Sequence, residues 1–410
     1  MDLPSPRVPS LSVRTTRIDH ISPLLDVVDR RSPLVFVRGG AGMAGIGEAV
    51  RLEFSGPSRM RDAAAAWREL AGRATVDDEV RVPGTGLIAF GSFAFDDESA
   101  DTSVLIVPSI VIGRRDGVAW ITRVDGAELP AGTPVGASVR LRLREGELSA
   151  AGYADAVARA VDAIGAGDVS KVVLARDLVG QLPPEADLRL VAATLLTAYP
   201  DCYAFAVDGL IGASPETLVR SERGEVSARV LAGSAARGVD AVSDERAAHA
   251  LATSPKDLDE HAFALRSLLL SLGPHATDVV TGEQPFTLKL PNLWHLASDV
   301  RGRLTDGSSS LDLIDSLHPT AAVAGTPTRE ALALIRELEP FDRGRYAGPV
   351  GWVGADGDGE WAIALRCAQV SPEGEVRAFA GAGVVAESVP EREVAETTMK
   401  FQPVVQAFSQ

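Results

Sequence analysis

The stretch 346–385, YAGPVGWVGADGDGEWAIALRCAQVSPEGEVRAFAGAGVV, contains three apolar runs separated only by short segments rich in Gly, Asp, Pro and Ser. These runs predict strands at Tyr346–Val353, Trp361–Val370 and Val376–Val385. The connections are too short for the crossover helix that joins parallel strands, so they favour antiparallel pairing. Strands outnumber crossover helices in the rest of the chain too. The sequence therefore predicts an α+β fold of antiparallel sheets packed together with flanking helices.

Length and charge limit the fold and the partners. We expect residues 1–150 to form an N-terminal scaffold portion and residues 151–410 a catalytic portion of one compact composite domain. The formal net charge of −16 argues against binding to nucleic acid or to an anionic membrane, because neither is held without a concentrated basic surface. A small anionic ligand would need local Arg, Lys or a metal ion.

The sequence shows no pattern typical of a targeting segment, a membrane span or a disulfide framework. The first residues, MDLPSPRVPS, lack a basic segment followed by an apolar one, and no run of about 18 apolar residues occurs, so we expect a cytoplasmic protein. Cys202 and Cys367 lie far apart without partner residues at metal-ligand spacing. We interpret both as buried thiols rather than as a disulfide or a zinc site.

One glycine motif suggests a dinucleotide site. Gly40, Gly42 and Gly45 fit G-x-G-x-x-G, but the following segment, Glu48 to Phe54, reads as a strand where that motif requires a helix. We therefore interpret the glycines as a turn between strands.

Three further segments receive a specific interpretation. Tyr203 to Ile211 and Thr217 to Ser221 read as a hairpin-like pair. A helix over Pro255 to Leu272 should be capped by Ser254. The last helix should start at Ser388, with a capping box completed by Glu391, and Pro403 should end or kink it.

Two acidic pairs occur at i, i+3 spacing on predicted helices, so that each pair projects from one face. They are Asp257 with Glu260 and Glu393 with Glu396. A hard cation such as Mg²⁺ would offset the repulsion within such pairs if they faced inward. The alternative is that the acids only favour helix N-termini through the macrodipole.

Lys171 and Glu216 are candidates for proton transfer. Lys171 opens an apolar strand, and burial there would favour the neutral amine that can take a proton from water; otherwise it is a solvated lysine at a strand end. Glu216 follows Pro215 in a turn after an apolar strand. A glutamate in such a turn is usually solvated, but one that points into a cleft would suit a general acid.

Three residues near the end of the chain suggest a binding surface. Arg366 should share a strand face with Ala362 and Ala364, which are small enough to leave room for a carboxylate beneath the guanidinium. Gly381 and Gly383 should share a face of the next strand, where a ligand can approach the backbone, although a plain bulge would look the same.

Nine stretches, taken in order, resemble the chorismate-utilising enzymes, and most closely their isochorismate synthase branch. They cover about residues 150 to 405, and their joint occurrence in this order is highly specific. The stretches are KVVLAR at Lys171, GASPETL at Gly212, LAGSAARG at Leu231, SPKDLDEH at Ser254, LWHLAS at Leu293, LHPTAAVAGTP at Leu317, ELEPFDRGRYAGPVGW at Glu337, WAIALRCA at Trp361 and FAGAGVVAESVPEREVAET at Phe379.

The resemblance implies an anthranilate synthase component I-like fold with chorismate and one Mg²⁺ in a cleft. It implies that Lys171 activates the attacking water as general base and that Glu216 protonates the departing hydroxyl. Glu260 and Glu396 match the metal ligands, and Asp257 and Glu393 match acidic positions that act through water. Further matching positions hold the substrate: Gly233, Ser234, His295, Ala322, Tyr346, Arg366, Gly381, Gly383 and Lys400.

The same comparison separates the branches of the family. Two branches add ammonia instead of water. The anthranilate branch typically has glutamine at the position of Lys171, and the aminodeoxychorismate branch has a nucleophilic lysine where this chain has Ala232. Salicylate synthase, which also eliminates pyruvate, tends to have threonine at the position of Ala322. A chorismate-binding protein without catalysis would need neither the base nor the acid. The resemblance thus favours a monomeric isochorismate synthase without an amidotransferase subunit, serving menaquinone, siderophore or salicylate synthesis.

Overall fold

Two large sheets contain strands from both halves of the chain. The structure is a computed structural model that describes residues 9–19, 24–136 and 140–409. The strands are β1 Ser12–Arg17, β2 Leu34–Arg38, β3 Ala41–Ile46, β4 Val50–Phe54, β5 Thr75–Asp78, β6 Ile88–Ser92, β7 Ser103–Val107, β8 Ile110–Arg115, β9 Val118–Val124, β10 Arg144–Glu145, β11 Lys171–Gln181, β12 Tyr203–Val207, β13 Leu210–Ser214, β14 Thr217–Glu222, β15 Glu225–Ala236, β16 Ala276–Thr281, β17 Phe286–Lys289, β18 Leu293–Leu304, β19 Gly325–Thr326, β20 Pro349–Gly354, β21 Gly359–Ile363, β22 Cys367–Val370 and β23 Glu375–Val384.

Eight α-helices flank these sheets over the described residues. They are α1 Arg59–Arg73, α2 Ala150–Ala166, α3 Leu188–Ala198, α4 Ala241–Thr253, α5 Pro255–Leu272, α6 Ser310–Leu317, α7 Thr328–Leu338 and α8 Pro390–Phe408. A short 3-10 helix spans Leu24–Asp26. None of the helices in the described part of the chain is long and apolar enough to span a bilayer.

The strand order shows how the two halves of the chain combine. The larger sheet runs β10-β11-β23-β22-β13-β12-β2-β3-β8-β9-β1-β5, with β19 beside β11. The smaller sheet runs β16-β18-β15-β14-β21-β20-β6-β7-β4, with β17 beside β18. Pairing is antiparallel except between β1 and β5. The predicted α+β class with antiparallel sheets is confirmed. The division at residue 150 stays a prediction, and each sheet pairs strands from both sides of it.

A shared apolar core joins the two sheets. It includes Phe205 of the larger sheet and Phe90 and Trp361 of the smaller one, all almost completely buried. A second core lies where α3 and α8 cover the larger sheet, for example at Leu195 and Phe408. Burial of so much apolar surface is the main term that stabilises the fold.

The glycine motif near residue 40 forms the predicted turn only in part: Gly40 lies in the turn, whereas Gly42 and Gly45 lie in β3. Gly39 and Gly40 have φ of 58° and 75° and connect β2 to β3. A side chain at Gly42 would place its Cβ 2.3 Å from the carbonyl oxygen of Phe36. These glycines therefore serve the backbone, and no helix follows them.

The hairpin-like pair predicted around residue 210 is wrong in its partners. The hairpin is β12 with β13, closed by Asp208 and Gly209 with φ of 52° and 77°. Two adjacent residues at positive φ form the turn that matches the twist of antiparallel strands. Strand β14, which begins at Thr217, belongs to the other sheet.

The single strand predicted over Trp361–Val370 is also wrong. It consists of β21 in the smaller sheet and β22 in the larger one, with a break at Ala364 to Arg366. Arg366 has φ of 52° and does not continue the strand face of Ala362 and Ala364. The chain changes sheets here, which an apolar run cannot reveal because both strands are buried.

The last helix begins later than predicted and does not end at Pro403. It begins at Pro390 rather than Ser388, whose hydroxyl instead accepts a hydrogen bond from the Val385 amide. Pro403 lies inside the helix, which continues to Phe408. Proline has no N–H for the Met399 carbonyl, and the side-chain amide of Asn292 donates to that carbonyl at 3.1 Å. The Ser254 cap of α5 is confirmed, because its hydroxyl accepts from the Asp257 amide.

Candidate active site

Two chain crossings between the sheets position Glu216 and Arg366. The segment from β13 to β14 contains Glu216, and the segment from β21 to β22 contains Arg366. The crossings are hydrogen-bonded to each other: the Ile363 amide donates to the Glu216 carbonyl, and the Ala213 amide donates to the Arg366 carbonyl, each at 3.2 Å. A carboxyl and a guanidinium are therefore fixed side by side.

A bulge in β15 shapes the next part of the site. The register against β18 shifts between Leu231 and Ser234, and Gly233 has φ of 82° in between. Beyond the bulge, Ser234 lies opposite His295. Bulges of this kind redirect side chains, and this one turns backbone and side-chain groups toward one point.

Lys171 is completely buried at the start of β11. Its Nζ lies 3.0 Å from Oε1 of Glu260, and its side chain is 1% exposed. The neighbouring strand leaves room for it, because a Cβ on Gly383 would lie 3.0 Å from Cε of Lys171 and 2.7 Å from Oε1 of Glu260. The lysine is thus desolvated as the sequence suggested, and it sits beside a predicted metal ligand.

The two acidic pairs face each other across the N-terminal ends of α5 and α8. Lys256 of α5 lies 3.6 Å from Glu393 of α8. Burial, together with the charges of Glu260 and Glu396, raises the pKa of Asp257. Burial and the nearby charge of Glu396 likewise raise the pKa of Glu393. The carboxyls repel one another here, so the placement is more than a preference for helix N-termini.

Glu396 has two close polar partners. Its Oε1 is 2.6 Å from Lys400 Nζ and accepts a hydrogen bond from Ser234 at 2.8 Å. Burial alone would raise its pKa, but Lys400 and Ser234 outweigh burial and lower it. Lys400 also donates to the Gly381 carbonyl at 2.9 Å. Glu396 is therefore held ionised and oriented.

The pKa of Glu216 is shifted in the opposite direction to that of Glu396. Burial raises its pKa to about 8, although the charges of Lys171 and Arg366 and a hydrogen bond from the Leu231 amide oppose the increase. A carboxyl with that pKa retains its proton near neutral pH. This is the protonation state that a general acid requires.

His295 and Arg366 form a buried pair of fixed polarity. The ring Nδ1 donates to the Gly233 carbonyl, and Nε2 accepts from Arg366, both at 3.2 Å. Burial and the charges of Arg366 and Lys400 lower the pKa of His295 to about 3. The neutral imidazole therefore orients the guanidinium, whose other donors can bind an anion.

One cavity brings the predicted residues together. Its empty volume is about 600 Å³, within the usual range for small-molecule sites. The predicted residues that line it are Glu216, Gly233, Ser234, Glu260, His295, Ala322, Tyr346, Arg366, Gly381, Gly383, Glu396 and Lys400. Three predicted residues, Lys171, Asp257 and Glu393, are not part of the lining. Lys171 contacts Glu260, which is part of it.

Two glycines and a tyrosine set the shape of one wall. A Cβ on Gly381 would lie 3.2 Å from the Tyr346 hydroxyl and 2.8 Å from the Leu174 carbonyl oxygen. Tyr346 is buried and stacks on Phe379 with 5.1 Å between ring centroids. The glycines therefore keep the cavity open where a side chain would fill it.

Sequence reasoning missed the residues that support the cavity. Lys256, the partner of Glu393, and the buried pair of Glu339 with Arg343 were assigned no role. Glu339 and Arg343 have opposite charges within a quoted stretch, but they lie beyond the end of α7 with Pro340 between them, so helical spacing gives no signal for the pair. Nothing in the sequence indicates that Lys256 would face Glu393 on a helix distant along the chain.

Metal binding by protein groups alone finds no support. Within the described ranges, no three His, Cys, Asp or Glu side chains converge closely enough to hold an ion. The candidate donors are nevertheless all carboxylate oxygens in a region of mutual repulsion. That chemistry fits a hard cation such as Mg²⁺, which commonly binds one or two carboxylates and keeps water or substrate oxygens as its other ligands.

Comparison with known proteins gives a consistent result. A family model described as chorismate binding enzyme matches residues 4–124 and 133–409. A candidate isochorismate synthase, MenF of Mycobacterium tuberculosis, is 36% identical over 340 residues, which is 79% of this chain and 87% of that protein. The isochorismate synthase DhbC of Bacillus subtilis is 40% identical over 268 residues, covering 62% of this chain and 67% of that protein.

A solved structure agrees with the whole fold. A candidate 2,3-dihydroxybenzoate-specific isochorismate synthase, DhbC of Bacillus anthracis, superposes with a TM-score of 0.78 at 32% identity. The match covers 94% of this chain and 98% of that one. The architecture predicted from the nine stretches is thereby confirmed.

Proposed function

Since the chain belongs to the chorismate-binding enzyme family, we propose that it is an isochorismate synthase, an isomerase that adds water at ring carbon 2 of chorismate and removes the hydroxyl at carbon 4. The observation that carries the proposal is the pairing of a buried lysine and a protonated glutamate around one cavity. A protein that only bound chorismate would need neither group.

The acid and the base have separate tasks. Glu216, whose pKa is about 8, donates its proton to the departing hydroxyl. Lys171 takes a proton from the attacking water, for which it must reach past Glu260 into the cavity. The ion pair between Lys171 and Glu260 therefore has to loosen when the site is loaded.

Cationic side chains in the cavity wall oppose the negative charge of the chain. Arg366, oriented by His295, suits a substrate carboxylate, and Lys400, held by Glu396 and the Gly381 carbonyl, lines the same cavity. These two side chains make a local positive region in a protein of net charge −16, whereas Lys171 must be neutral when it acts as the base. Such a region is what recruits a small dianion.

We propose Glu260 and Glu396 as the protein ligands of a magnesium ion, with Asp257 and Glu393 acting through water. When bound, the ion would polarise the ring carboxylate and stabilise the charge that develops on the ring. The mutual repulsion of the four carboxyls supports this assignment. Loss of activity with EDTA and its return with Mg²⁺ would agree, whereas full activity without metal would remove both glutamates from the mechanism.

The product profile tests the proposal and its rival. Purified protein with chorismate and Mg²⁺ should accumulate isochorismate without an equal amount of pyruvate. Stoichiometric pyruvate without added lyase would show a salicylate synthase instead. Binding of chorismate without any turnover would show a non-catalytic protein. Ala322, which is small and lines the cavity, favours the first outcome.

A further inference from the structure

A buried ion pair fills a gap along the strand that carries Lys171. On one side β11 pairs with β23 from Val172 to Gln181. On the other side it pairs with β19 only at Lys171 and Val172, and with β10 only at Leu178 and Val179. Between these two short ladders, the backbone of β11 needs other hydrogen-bond partners.

Glu339 and Arg343 supply two of those partners, while the Ala324 carbonyl accepts from the Val173 amide. Oε1 of Glu339 accepts from the Ala175 amide at 2.7 Å, and Arg343 donates to the Val173 carbonyl at 2.6 Å. The two side chains also pair with each other at 2.6 Å and are almost completely buried. Together they offer β11 one acceptor and one donor, as a neighbouring strand would.

Arg343 also ties β11 to the loop that carries Ala322. It donates at 3.0 Å to the carbonyl of Val323, the residue next to Ala322, and its guanidinium lies 4.5 Å from the centre of the Phe95 ring. Arg343 lines the cavity, but most of its donors are already used by Glu339, Val173 and Val323. It is therefore a support, in contrast to Arg366, which donates to His295 and is proposed to bind a substrate carboxylate with its other donors.

We infer that Glu339 and Arg343 are positioning residues that fix Lys171 relative to the Ala322 side of the cavity. The inference rests on the proposed function, since it gives the pair a purpose only if Lys171 is the base. The backbone of β11 determines where the Lys171 side chain starts, so a shift of the strand also shifts the amine. A small displacement of a reacting group costs up to about a hundredfold in rate.

The variant Arg343→Lys tests the inference, because one ammonium cannot reach all three partners. We expect kcat to fall about 10- to 100-fold, while the Kd for chorismate stays close to that of the wild type. Deuterium exchange should accelerate in peptides covering residues 171–175 and 320–325. The exchange measurement does not depend on which reaction the protein catalyses, so it stays informative if the wild type makes no isochorismate and the proposed function fails.

Arg189→Lys is the matched control. Arg189, the second residue of α3, forms a buried ion pair with the N-cap residue Asp187, and neither residue lines the cavity. This variant should keep kcat and normal exchange at 171–175. A wild-type kcat and exchange in Arg343→Lys would overturn the inference, and so would an equal loss of kcat in Arg189→Lys. If Arg343→Lys does not fold, Glu339→Gln decides: it should lower kcat at unchanged Kd, and an unchanged kcat contradicts the inference.

Discussion

Glu216 shows how a single residue can serve the reaction and reduce stability. In the unfolded chain its carboxyl ionises near pH 4.5, and in the folded protein burial delays ionisation to about pH 8. Between these values the folded state holds a proton that the unfolded state releases, so stability decreases as pH rises. The cost reaches up to about 3 kcal/mol at pH 7.

Glu216→Gln should therefore abolish turnover and stabilise the protein at neutral pH. The amide fits the same space and never ionises, but it does not deliver a proton to the leaving hydroxyl. Urea unfolding from pH 4 to pH 8.5 should show a stability gain that is absent at the acid end and grows toward pH 8. A variant that retains turnover, or one that is less stable than the wild type at pH 7, would contradict this account. In the wild type, kcat/KM should fall as pH rises through about 8, because this ratio reports the pKa of the substrate-free protein.

Single residues also mark where sequence reasoning is weakest. Arg366 lies in the cavity wall, and its role as a carboxylate clamp stays a prediction. Its predicted strand face was wrong, because its backbone is left-handed at the point where the chain leaves one sheet for the other. Neither an arginine with a left-handed backbone conformation nor a change of sheet produces a periodic pattern in the sequence.

Helices α5 and α8 act together as one element. Their acidic residues were recognisable from the i, i+3 spacing, whereas their approach to each other depends on contacts such as Lys256 to Glu393 between distant segments. Local pattern can place side chains on one face of a helix, but it does not tell which other helix that face meets.

Magnesium should stabilise the folded protein through these two helices. The expected gain is about 2.7 kcal/mol when free Mg²⁺ is a hundredfold above its Kd, and it should appear as a rise in Tm. Glu396→Gln should lose most of the rise. Glu391→Gln, which changes an exposed carboxylate in the first turn of the same helix, should keep it. An equal rise in wild type and Glu396→Gln would refute the assigned ligand.

The proline in α8 is tolerated because another element satisfies the backbone. Removing the Asn292 amide leaves the Met399 carbonyl without its donor, so Asn292→Ala should cost about 1 to 2 kcal/mol. In a Pro403→Ala background the helix can supply its own N–H, and the same replacement should cost less. Urea unfolding of the four proteins of this double-mutant cycle measures the coupling, and additive effects would speak against the explanation.

At the scale of the whole molecule, the fold depends on pairing between the two halves of the chain. Strand β2 pairs with β12 in the larger sheet, and β6 pairs with β20 in the smaller one. The class of fold was predictable from the excess of strands. The allocation of strands to two sheets was not, because an apolar run does not tell which of two sheets its strand joins.

The fragment 151–410 should therefore fail to fold alone, although it contains every predicted site residue. Without the first half, β12 and β20 lose their partners β2 and β6, and each becomes an exposed edge strand. Much of the shared core is lost as well. We expect an insoluble or unfolded fragment by circular dichroism and urea titration. Cooperative unfolding together with chorismate binding by this fragment would show that the first half is dispensable.

The central claim is that water from the solvent, activated by Lys171, adds to the ring while Glu216 expels the hydroxyl. Turnover of chorismate in ¹⁸O-labelled water tests it most directly, by mass spectrometry of the first isochorismate formed. We predict that this isochorismate carries one heavy oxygen, on the hydroxyl at carbon 2, and that Lys171→Ala binds chorismate but forms no product. Unlabelled isochorismate from the wild type, or normal turnover by Lys171→Ala, would contradict the account.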